Sequence, residues 1–418
     1  MHRMRRTSLG IIHSSASRGV AFLLVLCCII ALAACSPLVD QHGKPSNTSP
    51  AVQHSQSFAD REAAPSPNAS IEQSPEYRAA SAVAAMSLEE RVGQLVMAPL
   101  NVGDDPEGFS TLIAQYHVGS VLLLGNWRGG VAQVGQAAQR LQGYAPAGSK
   151  LLIASDQEGG QVQHLRGPGF DSMPSGVDQG RMDTASLRSS AGRWGTQLKS
   201  AGVNVNLAPV LDTVQTQPRQ SNAPVGALDR DFGLDAGGNS EHGIAFIQGM
   251  ADAGVSTAIK HYPGLGAVTG NTDFTAQGIE DSTTSFDGDE ISAFTAALKA
   301  EPAMVMMSLA TYPRLDPGNP AAFSATIIGN LRNEHAFNGV ITSDSLSAAA
   351  LGGTSPDQLG VRFVEAGGDL ACIGARSYVE PVIQGLIDRA KQDAAFASKI
   401  QSSATRVMTL KYSAGLAQ

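Results

Sequence analysis

Val255-Ser256-Thr257-Ala258-Ile259-Lys260-His261-Tyr262-Pro263-Gly264 decides the reading of this chain. Val255 to Ile259 is a run of β-branched and small residues, the signature of a short buried strand, and it ends on a cation, an imidazole and a Pro-Gly break. Charged groups at the mouth of a buried strand are placed for chemistry, whereas an ordinary strand exit would turn Lys260 and His261 into water. The rest of the chain separates the two readings.

Seven further apolar runs of strand length flank this one: Leu95–Met97, Val121–Leu124, Leu151–Ala154, Val203–Leu207, Met304–Met307, Val340–Thr342 and Leu370–Ile373. Helical stretches lie between them, such as 191–201 before Gly202 and 244–253 before Gly254, each glycine a natural helix stop. Continuous rather than alternating apolar runs imply strands covered on both faces, hence a parallel sheet. Eight strand–helix units give the expected fold class, α/β, a single-domain (β/α)8 TIM-type barrel. An open doubly wound sheet is the competitor, but no Gly-rich dinucleotide fingerprint follows the first strand.

A barrel gathers its functional residues just beyond the C-terminal strand ends. The third run is followed by Ser155-Asp156-Gln157-Glu158-Gly159-Gly160, the fourth by Ala208-Pro209-Val210-Leu211-Asp212, the fifth by Lys260-His261 and the seventh by Ser343-Asp344-Ser345. Singly, each acid suits a turn or helix cap. Together they converge on one mouth. Carboxylates among hydroxyl-binding neighbours, with no metal or nucleotide motif, suggest cleavage of a glycosidic bond, which needs one carboxylate at the anomeric carbon and one proton donor at the leaving oxygen. No cofactor and no metal is expected.

Outward toward the start of the sequence, Arg3, Arg5, Arg6 and Arg18 precede the apolar run 21–30, which ends in Leu32-Ala33-Ala34-Cys35. Residues 1–34 thus read as a signal peptide whose end resembles a bacterial lipobox, and the resemblance implies cleavage before Cys35 and lipidation of its thiol. Residues 35–78 are rich in Ser, Pro, Ala, Gln and Asn and read as a flexible tether. Residues 79–418 are assigned to the barrel. The expected location is extracytoplasmic, on the membrane through the lipid. Cys372, inside an apolar run, is left as a small core residue. Lys and Arg number 29 against 37 Asp and Glu, for a net charge of −8 without a basic block, so nucleic acid is not an expected partner. A carbohydrate substrate and a monomeric state are.

The motifs Glu89-Glu90-Arg91-Val92-Gly93-Gln94-Leu95, Asp156-Gln157-Glu158-Gly159-Gly160, Asn206-Leu207-Ala208-Pro209-Val210-Leu211-Asp212, Lys260-His261-Tyr262-Pro263-Gly264 and Gly339-Val340-Ile341-Thr342-Ser343-Asp344 together resemble glycoside hydrolase family 3. The single-domain form resembles its β-N-acetylglucosaminidase branch, enzymes that trim peptidoglycan fragments. The resemblance implies a (β/α)8 barrel and a retaining exo-β-glycosidase. It puts Asp344 at the position of the catalytic nucleophile, and it makes Asp156, Lys260, His261, Arg230 and His164 substrate-binding residues. Lys260 and Arg230 beside Asp344 would then favour its ionised form.

The chain departs from the branch at its general acid. Where the branch reads Lys-His-Phe-Pro-Gly-His-Gly and then Asp-Ser-His, this sequence has Leu265 for the first His and Asn271-Thr272-Asp273 for the triplet. Without a gap Asp273 replaces the His acid; with one inserted residue Asp273 matches the Asp and Thr275 the His. Gln161 and His164 replace two arginines usual after Asp156, and Arg166 remains. The expectation is that Asp273 is the acid, with Glu158 or Asp212 as alternatives. Transfer of the sugar to phosphate, known for members with the His acid, and a barrel that only binds wall glycans are the competing functions.

Overall fold

The computed structural model describes residues 73–418, and the expectations about the signal peptide, Cys35 and most of the tether lie outside the described residues. The eight apolar runs become eight strands: β1 (Val96–Asn101), β2 (Ser120–Leu124), β3 (Leu152–Ser155), β4 (Val205–Asn206), β5 (Ser256–Tyr262), β6 (Met304–Met307), β7 (Val340–Ser343) and β8 (Ala371–Cys372). They pair in parallel in the order β7-β6-β5-β4-β3-β2-β1-β8. A parallel bridge between Thr342 and Leu370 joins the two ends of that order, which closes the (β/α)8 barrel. The seam is reinforced by Asp369, whose Oδ2 accepts the Ile341 N–H at 2.8 Å. Asp369 is fully buried, and its charge is met by Arg332 and Arg406.

Helices follow the strands in turn: α1 (Phe109–Tyr116), α2 (Gly130–Tyr144), α3 (Thr184–Ser200), α4 (Ala236–Asp252), α5 (Asp289–Ala297), α6 (Ala325–Gly329), α7 (Pro356–Ala366) and α8 (Val379–Gln392). The stretches 191–201 and 244–253 prove to be the C-terminal parts of α3 and α4. Each helix starts earlier because an aspartate caps it, Asp183 accepting from Ser186 and Asp235 from Gly238. Gly249 lets α4 approach α3, since a Cβ there would lie 2.3 Å from the Arg188 carbonyl oxygen. The chain reaches the barrel through the helix Pro75–Ala85, which begins ahead of the expected boundary at 79 and packs on the last helix, Ala394–Ser413.

Two apolar clusters divide the core. Met97, Leu122, Leu152, Ala154, Val205, Ala258, Met304, Met306 and Val340 fill the barrel interior, and a larger cluster lies between strands and helices. This two-sided burial is what the continuous runs encode. At the base, the buried Lys411 ammonium donates to Gln94 Oε1 at 2.7 Å, and burial pushes its pKa down to about 7. A concavity of about 800 Å³ also lies at that N-terminal end, among Ser256, Ala303, Gly339 and the last helix, far from the strand ends where the acids gather. No helix among the described residues is long and apolar enough to cross a membrane.

Candidate active site

Asp156 follows β3 directly, Arg230 stands in the loop after β4, Lys260 and His261 end β5, Asp273 lies in the loop beyond them and Asp344 follows β7. All six, with His164, line one cavity of about 400 Å³ at the C-terminal end of the barrel. Its apolar floor includes Leu122, Leu207, Met306 and Cys372. Burial raises the Cys372 thiol well above its ordinary range, so it remains a neutral part of that floor.

Local structure explains each placement. Asn206 on β4 accepts the Gln157 N–H and donates to the Gln157 carbonyl, both at 3.1 Å, which fixes the chain just after Asp156. Consecutive residues of a regular strand face opposite ways. The register of β5 against β6 shifts between Lys260 and Tyr262, and that irregularity lets both Lys260 and His261 face the cavity.

The cations have specific partners. Lys260 Nζ lies 2.5 Å from Asp156 Oδ1 and 2.6 Å from Glu158 Oε1. Arg230 grips Glu158 with two bonds of 2.8 Å and donates to the Pro224 carbonyl at 2.7 Å. Burial opposes charge on Glu158, but Arg230 and Lys260 outweigh it and hold its carboxyl well below the usual carboxylate range. Burial likewise opposes charge on Lys260 and Arg230, and the facing carboxylates overcome it, raising both. His261 Nδ1 meets Asp212 Oδ2 at 2.7 Å, and its Nε2 lies 3.4 Å from Arg230 Nη2. Asp212 Oδ1 also accepts the His261 and Leu265 N–H groups.

Lys260 and Arg230 share the cavity with Asp344, as expected of neighbours. Their short contacts are to Asp156 and Glu158. Glu158 and Asp212 are buried in that network and do not line the cavity, which removes them as alternatives to Asp273. A Glu158→Gln variant leaves two buried cations short of one counter-charge. It is expected to lose about 3 kcal/mol of stability, measured as a lower urea midpoint at unchanged slope.

Asp273 is open to solvent at the cavity rim, and its N–H is held by Asn271 Oδ1 at 3.0 Å. The protein packed around its carboxyl, and after that the Asp344 carboxylate, push its pKa up to about 6. Asp156 acts in the same direction, and Arg230 and His261 act against it. Thr275, the alternative match, is absent from the cavity lining and uses its Oγ1 to accept the Gln277 N–H. The loop is docked by its main chain: Ala349 and Ala350 donate N–H groups to the carbonyls of Asp273 and Thr272 at 3.2 and 3.0 Å. Asp344 itself is set by its N–H to the Met307 carbonyl at 3.0 Å and by the Ser345 N–H on its Oδ1 at 2.7 Å. His164 Nε2 stands 3.9 Å from Asp156 Oδ2. Among the described residues no group of three or more His, Cys, Asp or Glu side chains is arranged to hold a metal ion.

A cavity lined by paired acids and fixed cations suits an uncharged, hydroxyl-rich substrate. Comparison with known proteins agrees. Residues 87–410 match the glycosyl hydrolase family 3 N terminal domain. An uncharacterized secreted glycosyl hydrolase of Arthroderma benhamiae is 29% identical over 342 residues, 78% of this chain and 94% of that protein. Beta-hexosaminidase LpqI of Mycobacterium tuberculosis is 27% identical, over 78% of this chain and 84% of its own length. Among solved structures, the beta-N-acetylhexosaminidase of Beutenbergia cavernae superposes with a TM-score of 0.74 at 40% identity, covering 79% of this chain and 99% of that one. Motifs, barrel and full-domain match agree, and the chain belongs to glycosyl hydrolase family 3 as a glycoside hydrolase.

Proposed function

We propose that the protein is a retaining exo-β-N-acetylglucosaminidase that trims peptidoglycan fragments outside the cytoplasmic membrane, held there by a lipid on Cys35. Asp344 attacks the anomeric carbon and forms a glycosyl-enzyme. Asp273 gives its proton to the leaving oxygen, then takes one from the water that releases the sugar. Asp156, Lys260, Arg230, His261 and His164 hold the ring hydroxyls and the N-acetyl group, their charges fixed in advance by one another.

The observation that carries this reading is a pair of carboxyls in one cavity, one of them, Asp273, with its pKa pushed up. Asp273 keeps a proton up to about pH 6 while Asp344 lies beside it, the pairing that glycoside cleavage requires. The sugar is suggested by relatives named for hexosaminidase activity. A carboxyl at position 273 repels an incoming phosphate once it has given up its proton, where a neutral imidazole would not, which favours water as acceptor over the phosphorylase reading.

The test compares p-nitrophenyl β-N-acetylglucosaminide with the β-1,4 disaccharide of N-acetylglucosamine and N-acetylmuramic acid. Nitrophenolate leaves with little protonation, whereas a sugar alkoxide needs the acid. Cleavage of both, releasing N-acetylglucosamine with its β-configuration retained, is the expected result. Cleavage of neither rejects the activity, and an α-configured product rejects the mechanism.

A further inference from the structure

Trp127 and Leu165 form an isolated parallel bridge between the loops that follow β2 and β3. Two hydrogen bonds reinforce it, Trp127 N–H to the His164 carbonyl at 2.9 Å and Arg166 N–H to the Trp127 carbonyl at 2.8 Å. Both bridged side chains are buried, at 3% and 0% exposure. Alternation along extended backbone therefore turns Asn126 and Arg128, together with His164 and Arg166, to the outward face. His164 lines the sugar cavity. Asn126, Arg128, Arg166 and Gly167 line a second concavity of about 440 Å³. Two residues of extended chain, about 7 Å, separate His164 from Arg166, so this notch adjoins the cavity.

Its chemistry is one-signed. No acidic residue lines it. The Arg166 guanidinium is locked by bonds of 2.8 Å from Nε to the Gln163 carbonyl and from Nη2 to the Gly160 carbonyl, which leaves Nη1 uncommitted. Arg128 is exposed, and its guanidinium has no hydrogen bond or ion pair among the described residues. A fixed guanidinium and a free one around a notch form a receptor for a planar anion.

We propose that the notch is an anion subsite for the portion of the substrate beyond the cleaved bond, and that it takes a carboxylate on the departing sugar or on a peptide attached to it. This rests on the proposed peptidoglycan-fragment reading, in which the departing sugar carries a lactyl carboxylate and its peptide carries others. The cavity thus selects the sugar being removed, and Arg128 and Arg166 select what it is removed from.

The test measures kcat/KM of the full chain and of Arg128→Ala on three β-1,4-linked substrates. These are neutral N,N′-diacetylchitobiose, the disaccharide with a free lactyl carboxylate, and the disaccharide carrying an acidic peptide. Arg128→Ala is expected to lower the anionic-to-neutral ratio of kcat/KM by about three- to tenfold at low salt, and the effect shrinks as ionic strength rises. A drop already present for the free disaccharide assigns the lactyl group; a drop confined to the third substrate assigns the peptide. If all three are cleaved and the ratio matches that of the wild type, this inference is overturned alone. If the wild type cleaves none, or chitobiose only, the peptidoglycan reading falls and takes the subsite with it.

Discussion

Asp344→Asn is expected to lower kcat for aryl and disaccharide N-acetylglucosaminides alike by about 10⁴-fold, the scale of losing a nucleophile that no neighbour replaces. Asp273, the acid beside it, is assigned the proton-donor role, and the other nearby acids are engaged. Asp156 is bound to Lys260, Glu158 to Lys260 and Arg230, and Asp212 to His261, so none is free to turn toward the anomeric carbon. The loss should appear on both substrates, because the same attack displaces either leaving group. The fold should survive, since Asp344 is only half-buried and the Ser345 N–H still finds an amide oxygen at its side chain. A mechanism-based 5-fluoro N-acetylglucosaminide, which keeps the C2 N-acetyl group, should label Asp344, and peptide mapping locates the adduct. An adduct elsewhere, or none on an enzyme that turns over, rules out Asp344 as nucleophile and assigns the attack to another group.

Asp273→Asn is expected to separate the two substrates. The disaccharide should slow by about 10³-fold, while the first step with a nitrophenyl leaving group changes far less. The pH dependence has a definite sign. On the proposed mechanism Asp273 donates a proton, so its working form exists below its pKa of about 6 and is lost as pH rises through that value. Disaccharide kcat/KM should therefore fall about tenfold per pH unit above 6, and this limb should vanish in Asp273→Asn. Persistence of the limb in the variant assigns the acid to another group. A bound sugar displaces water from the rim, which strengthens the burial that raises this pKa, so kcat should hold to a higher pH than kcat/KM.

Much of the fold was legible because each apolar run is covered on both faces, and all eight overlap strands. The ends were less legible. Val203–Leu207 shrinks to the two residues of β4, since ladder bonds rather than hydrophobicity end a strand, while β5 extends past Ile259 to carry Lys260 and His261 within it. The start of α4 was hidden by Gly237-Gly238, poor helix formers that the Asp235 cap and burial of Ala236 and Asn239 override. At the site, the strand-end rule names the loops but not the partners inside them. Glu158 was weighed as an alternative acid rather than as a counter-charge, yet two cations converging on one buried mouth demand more than one carboxylate, and that demand was a usable signal. Arg128 carried no comparable signal, because only the bridge between Trp127 and Leu165 brings it beside Arg166.

The two loops that carry the proposed reacting carboxyls meet through main-chain bonds, Ala349 and Ala350 to Asp273 and Thr272. Such a joint is indifferent to which side chain stands at position 273. An imidazole, a carboxyl or an amide can be exchanged there while the opposing loop, and with it the point of attack, keeps its place. On the proposed mechanism the proton donor is thus a replaceable part on a permanent mount, and the pH range of activity becomes a trait that a single codon can retune.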